Sequence, residues 1–148
     1  VRLAPLRCHS KDGTMTPHDR IIQYFAMCSK GTALDIASHF TVDAVIFDTN
    51  VRPIHGAEAI GAMWVKVRER WDGARWSVDS CIADGANAAI EWSMTGTDPK
   101  TNEPFTFRGS EHYRFADSLI DEIRQYWTFD PTELDTGLIG YDYEESAS

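Results

Sequence analysis

The stretch FTVDAVIFD, Phe40 to Asp48, followed three residues later by RPIHGAEAIGAMW, Arg52 to Trp64, decides the fold. From Val42 the apolar residues recur every second position and β-branched side chains are frequent, so Val42 to Thr49 predicts a strand. Asn50 to Gly56, with Pro53, predicts a loop. Ala57 to Trp71 then predicts a helix, with Ile60, Met63, Trp64, Val67 and Trp71 on one side and Lys66, Arg68, Glu69 and Arg70 mostly elsewhere.

Upstream, Thr16-Pro17-His18-Asp19 is a helix start: a capping threonine, a proline at the first helical position and a carboxylate where free amides await it. The stripe Ile21, Tyr24, Phe25, Cys28 then keeps the i, i+3, i+4, i+7 spacing of one helix face until Gly31. Thr32 and Asp35 restart a short second helix carrying Leu34, Ile36, Ala37 and Phe40. Downstream, Arg75 to Ala83 and Ala86 to Asp98 read as strands joined at Asp84-Gly85, a hairpin signal. Pro104 to Phe115 and Leu119 to Phe129 complete a meander. Strands segregated from helices imply an α+β fold, with a curved sheet over its helices.

At 148 residues the chain is one domain's worth, and 43% apolar or aromatic content supplies a core without staples. Residues 1–15 read as an irregular N-terminal segment, 16–130 as the domain, and 131–148 as an acidic, solvated and partly mobile extension. A net charge of −9 argues against a nucleic-acid partner, which needs a basic stripe. No apolar run approaches the ~20 residues of a membrane span, and the opening residues lack the apolar run of a signal peptide. Cys8, Cys28 and Cys81 are odd in number and not closely spaced, which predicts reduced thiols in a cytoplasmic protein. The histidines, His9, His18, His39, His55 and His112, show no metal-binding spacing, and no GxSxG elbow is present. The sequence calls for no metal and no cofactor.

Three residues invite a chemical reading. Tyr24 lies on the apolar stripe of its helix, which carries its hydroxyl toward the core. Asp48 ends its strand in phase with Ile46; a carboxylate there also suits a turn. Glu111 gives the sharpest signal: it shares the phase of Phe107, Gly109, Tyr113 and Phe115, while Arg108, His112 and Arg114 take the other face. A carboxyl on the apolar phase must be paired, hydrogen-bonded or neutral; the ordinary alternative is an ion pair with an arginine across the sheet.

With the Pro53-Ile54-His55-Gly56 segment leading into the third helix, and with Tyr113-Arg114-Phe115 and Gln125-Tyr126-Trp127, the chain resembles the nuclear transport factor 2-like superfamily, in its ketosteroid isomerase and SnoaL-like polyketide cyclase branch. The resemblance implies a cone-shaped α+β barrel, a strongly curved and mostly antiparallel sheet wrapped around three N-terminal helices, enclosing a hydrophobic pocket. Residue by residue, it puts the hydroxyl donor on Tyr24, the proton-shuttling carboxylate on Asp48, the protonated acid on Glu111 (longer than the family's aspartic acid by one methylene) and a lining tryptophan on Trp127. Ile46, Met63, Trp64, Ile90, Trp92, Met94, Phe107, Tyr113 and Gln125 complete the expected substrate-binding wall.

A base, a phenol and a neutral acid in one apolar hollow suit proton transfer next to a carbonyl, as isomerases, cyclases or lyases perform it on a small apolar organic molecule. Two alternatives stand beside this. A limonene-epoxide-hydrolase-like enzyme would need a carboxylate and arginine on one strand, for which only Glu122 and Arg124 qualify, and their phase is opposite to that of Trp127. A non-catalytic binding or assembly module would keep the cone with Tyr24 and Glu111 merely hydrogen-bonded. Surplus sheet-face aromatics point to a homodimer. The catalytic reading requires Tyr24, Asp48 and Glu111 to converge in a hollow that side chains do not plug.

Overall fold

The computed structural model describes residues 13–146; the N-terminal residues 1–12, with Cys8 and His9, lie outside the described residues. Helix α1 (Pro17–Lys30) begins with a reciprocal cap. The Asp19 amide donates to Thr16 Oγ1 (3.1 Å), and the Thr16 amide donates to Asp19 Oδ2 (3.1 Å). Helix α2 (Ala33–Ala37) repeats the device with Thr32 and Asp35. The buried residues of α1 are the predicted four, Ile21, Tyr24, Phe25 and Cys28. Helix α3 (Ala57–Glu69) lies against both: Arg68 donates to the carbonyls of Cys28 (3.1 Å) and Gly31 (2.8 Å), so a cation caps the negative end of α1.

The strands are β1 (Phe40–Asp48), β2 (Ile54–His55), β3 (Asp72–Asp84), β4 (Asn87–Thr97), β5 (Pro104–Ala116) and β6 (Leu119–Tyr126). They form one open, curved sheet in the order β2-β1-β6-β5-β4-β3, antiparallel except where β1 runs parallel to β6. Register shifts in β1, β3 and at Arg114/Phe115 bend the sheet around the helices. The core fills the concave side: Ile21, Tyr24, Phe25, Ile36, Ile46, Ile60, Trp64, Ile90, Phe107, Tyr113 and Ile123 are all buried. This is the expected α+β cone. Among the described residues no helix is long and apolar enough to cross a membrane.

Several expected boundaries give way to tertiary pairing. Phe40 opens β1 instead of continuing the second helix, because its backbone pairs with Ile120 and the Ile120 amide donates to the His39 carbonyl (2.8 Å). The predicted loop contains β2, where Ile54 and His55 pair with Ile46 and Val45 and cover the edge of β1. Helix α3 stops at Glu69, short of Trp71, whose ring instead packs on Phe105 (4.7 Å) and Phe107 (5.5 Å). β3 therefore begins at Asp72, where the sequence predicts only a helix stop.

The acidic extension is not wholly in solvent. β5 outruns β6, and residues 134–136 take up the vacant edge: Thr106 N donates to the Leu134 carbonyl (2.7 Å) and Thr136 N to the Thr106 carbonyl (3.0 Å). Arg108 pairs with Asp135 (2.6 Å) and lies over the ring of Tyr143 in α4 (Tyr143–Ser146).

Gly61 fixes the approach of α3 to α2, since a β-carbon there would stand 2.2 Å from the Ala33 carbonyl oxygen. The obstacle is backbone and cannot swing away. Gly61→Ala is therefore expected to destabilise the fold by about 3 kcal/mol, the upper end for an overpacked site, seen as a lower urea midpoint. An unchanged midpoint would mean the helices slide apart freely.

Candidate functional site

Asp48, Gln125, Glu111, Ile90 and Cys81 occupy one row across five neighbouring strands, β1, β6, β5, β4 and β3. Directly paired residues project to the same face, so the two acids stand on the concave side with Gln125 between them. Two strand spacings separate their backbones, roughly 10 Å. The next row holds Ile46, Ile123, Tyr113 and Ala88.

Glu111 is 1% exposed and, among the described residues, pairs with no arginine. Its partner is Tyr113, two residues along the same strand, whose hydroxyl donates to Glu111 Oε2. Burial pushes the Glu111 carboxyl up to about 8; the Tyr113 hydrogen bond opposes this and the charge of Asp48 adds to it. At neutral pH Glu111 is thus a neutral acid with a proton to donate. Tyr24, fully buried on α1, has its hydroxyl raised by burial and then by Cys28 and Glu111, which brings the first helix to the same cluster. Tyr113 is raised likewise, by burial first.

Asp48 is half-buried and held by three donors. The Asn50 amide (2.6 Å) and side-chain nitrogen (3.2 Å) reach Oδ1, and the Trp127 indole nitrogen reaches Oδ2 (3.0 Å). The first bond is the ordinary turn-forming role of a strand-end aspartate; the indole bond fixes the other oxygen from the concave side. Trp127 keeps that place because residue 109 is glycine: a β-carbon there would stand 2.8 Å from Trp127 Cβ and 2.6 Å from the Trp92 ring.

The predicted wall residues lie in the interior. Ile46, Trp64, Ile90, Trp92, Met94, Phe107, Tyr113 and Gln125 are buried, while Met63 and Trp127 are half-buried. Rings meet across the interior: Trp92–Trp127 at 5.7 Å, Phe107–Trp127 at 6.0 Å and Trp127–Phe129 at 5.6 Å. Tyr24 and Glu111 are near enough for the charge of the acid to raise the phenol, and Asp48 shares the row of Glu111. A cavity of about 150 Å³ lies elsewhere, by Arg20, Gln23, His39 and Phe115.

The packed interior leaves three polar atoms unsatisfied. Tyr24 Oη, Trp64 Nε1 and Trp92 Nε1 are buried without a hydrogen-bond partner. Leaving a buried donor unpaired costs about 1–3 kcal/mol, and native cores hold few such groups.

Glu122 and Arg124, the pair an epoxide hydrolase would need, bond to each other (2.6 Å) on the other face, with Arg124 exposed. Among the described residues no group of three or more His, Cys, Asp or Glu is placed to hold a metal ion.

Sequence reasoning listed Tyr113 as wall and missed its hydroxyl's role, although period two already puts it on the face of Glu111. It also missed Asn50, whose position two residues after Asp48 is a turn signal, and Phe129, which carries no signal before the fold is known.

The model of the SnoaL-like domain matches residues 21–123, which span α1 through most of β6. The chain belongs to the SnoaL-like domain family. Solved structures agree on the fold of this SnoaL-like domain. A hypothetical protein of ketosteroid isomerase-like fold from Catenulispora acidiphila, in complex with trimethylamine, is 16% identical with a TM-score of 0.69, covering 77% of this chain and 88% of that one. A putative SnoaL-like polyketide cyclase from Jannaschia sp. is 13% identical with a TM-score of 0.65, covering 76% and 89%. SalBIII, an epoxide hydrolase/cyclase-like enzyme of pyran ring formation in the polyether salinomycin, is 18% identical with a TM-score of 0.65, covering 75% and 89%. The chain matches no curated protein by sequence.

Proposed function

We propose that this SnoaL-like protein catalyses cofactor-free proton transfer on a small apolar organic substrate that carries a carbonyl group. The observation that supports it is Glu111: a buried carboxyl, free of any arginine and neutral at pH 7, on the same concave row as the half-buried carboxylate Asp48. Asp48 takes a proton from the carbon next to the carbonyl. The electron pair of that C–H bond moves to the carbonyl oxygen, and the enolate oxygen is held by the Tyr24 hydroxyl and the Glu111 acid. Returning the proton to another carbon gives isomerisation; attack of the enolate on a second carbonyl gives cyclisation; loss of a β-substituent gives a lyase. Each neutral donor lowers the barrier only as charge develops, and removing one commonly costs about 10²–10³ in rate.

The substrate enters by displacing half-buried side chains at the wide end of the cone, Met63, Trp127 and Phe129. The reading extends to a cytoplasmic homodimer, supported by the buried thiol of Cys28 and by Phe47 and Tyr126, exposed on the convex face.

The test is solvent-deuterium exchange into a panel of enolisable cyclic ketones, followed by NMR. Exchange above the buffer rate, lost in Asp48→Asn, is the expected result. Ketone binding without any exchange would instead identify a non-catalytic binding module.

A further inference from the structure

The cavity of about 150 Å³ lies at the other end of β1 from Asp48, where the N-terminal half of α1, the chain leaving α2 and the β5–β6 hairpin meet. Phe40, the residue after His39, opens β1 and Asp48 ends it, so roughly 26 Å of extended chain parts the cavity from the proposed base. Its lining is mixed. Phe115 and Ile120 are buried and supply apolar surface, Arg20, Gln23 and His39 supply polar groups, and no carboxylate residue lines it.

The polar groups are held by bonds that leave donors over. Arg20 Nη1 donates to the Ser118 carbonyl (3.0 Å), which ties α1 to the hairpin and leaves Nε and Nη2 for a ligand. His39 is fixed through its backbone: its amide donates to the Ile36 carbonyl (3.1 Å) and its carbonyl accepts from the Ile120 amide (2.8 Å). Its ring lies beside that of Tyr24, centroids 6.1 Å apart, and among the described residues neither ring nitrogen makes a hydrogen bond. Burial lowers the pKa of His39, so the ring is neutral at pH 7 and offers one N–H. The acid whose charge reaches it, Asp35, accepts from the Thr32 amide (2.8 Å).

We infer that this cavity is a second binding site, for a small monocarboxylate with an apolar body, whose carboxylate accepts hydrogen bonds from Arg20 and His39 while its body rests on Phe115 and Ile120.

Three features choose this class. Nε and Nη2 form one edge of the guanidinium, which matches the two oxygens of a planar carboxylate. A single cation would leave a dianion such as phosphate only half neutralised. The space suits an apolar ring, since a cavity of about 150 Å³ accommodates benzene. The net charge of −9 does not forbid an anion here, because exposed charges more than about 8 Å away are screened at physiological salt. The inference is independent of the proton-transfer reading, in which no residue of this cavity takes part.

Benzoate is the probe, titrated into the full chain labelled with nitrogen-15 in its five histidines, with His39→Asn assigning the His39 ring signals. Saturable binding that shifts the His39 ring nitrogens is expected. Arg20→Gln is expected to bind benzoate about 10- to 100-fold more weakly, as for loss of a hydrogen bond between charged groups. Benzamide, of the same shape without the charge, is expected to bind the wild type as weakly. Should Arg20→Gln fold poorly, benzamide and the wild-type spectrum still decide. Benzoate bound with His39 unmoved, or bound equally well by a folded Arg20→Gln, lies elsewhere and overturns the site. Equal binding of benzamide overturns the carboxylate class, and no saturable binding of benzoate overturns the inference outright.

Discussion

Glu111→Gln is expected to make the protein more stable, and increasingly so as the pH rises. The unfolded carboxyl ionises near its ordinary 4.5, whereas the buried one holds its proton until about 8. Below 4.5 both states carry the proton, and burial of the acid carries no ionisation penalty. Between 4.5 and about 8 the unfolded state releases a proton that the folded state keeps, so wild-type stability falls by about 1.4 kcal/mol per pH unit from this group. Above about 8 both states are ionised and the loss levels off, having reached roughly 3–5 kcal/mol. Glutamine keeps the shape and still accepts the Tyr113 hydrogen bond, but has no proton to lose. Urea unfolding of both proteins at several pH values reads the difference. A gap that widens from pH 5 to 8 is the expected outcome, and a constant gap would show that Glu111 is ionised in the fold. Sites that sacrifice stability in this way are characteristic of function.

Asp48→Asn is expected to lower exchange or turnover by about 10²–10⁴-fold, the usual contribution of a positioned base, while leaving ligand affinity nearly unchanged. The amide oxygen can still accept from Asn50, so the turn persists, while the Trp127 indole, which bonds the other oxygen, loses its acceptor. What is lost is the ability to take a proton. A KM close to wild type with a collapsed kcat is the pattern for an interaction made only in the transition state. Full activity in the variant removes Asp48 from the mechanism and leaves its turn-forming role as its only one.

Local signals in the sequence were legible where the chain satisfies its own neighbours. Thr16 with Asp19 and Thr32 with Asp35 form reciprocal caps within four residues, so the helix starts read correctly. The apolar phase of Glu111 was legible because a lone carboxyl there has few physical solutions, and the solution found is the neutral one. Long-range pairing was hidden. Nothing local marks Ile54-His55 as the partner of β1, or Trp71 as released from its helix to meet Phe105. Arg68 reads as a surface charge until α1 is laid beside α3 and presents its carbonyls. Which aromatic rings meet was hidden for a related reason: composition counts aromatic residues but does not say which of them touch in space. The unpartnered atoms of Tyr24, Trp64 and Trp92 are likewise invisible before coordinates exist, because satisfaction is a property of neighbours in space.

The proton on Glu111 is what makes this interior chemical rather than structural, and it is directly measurable. Protein labelled with carbon-13 at its glutamate side-chain carboxyls is titrated by NMR, with Glu111 assigned by its absence in Glu111→Gln. A carboxyl that stays protonated through pH 7 and titrates near 8 is the expected behaviour. A midpoint near 4.5 would show a charged Glu111, and the donor role given to it could not stand.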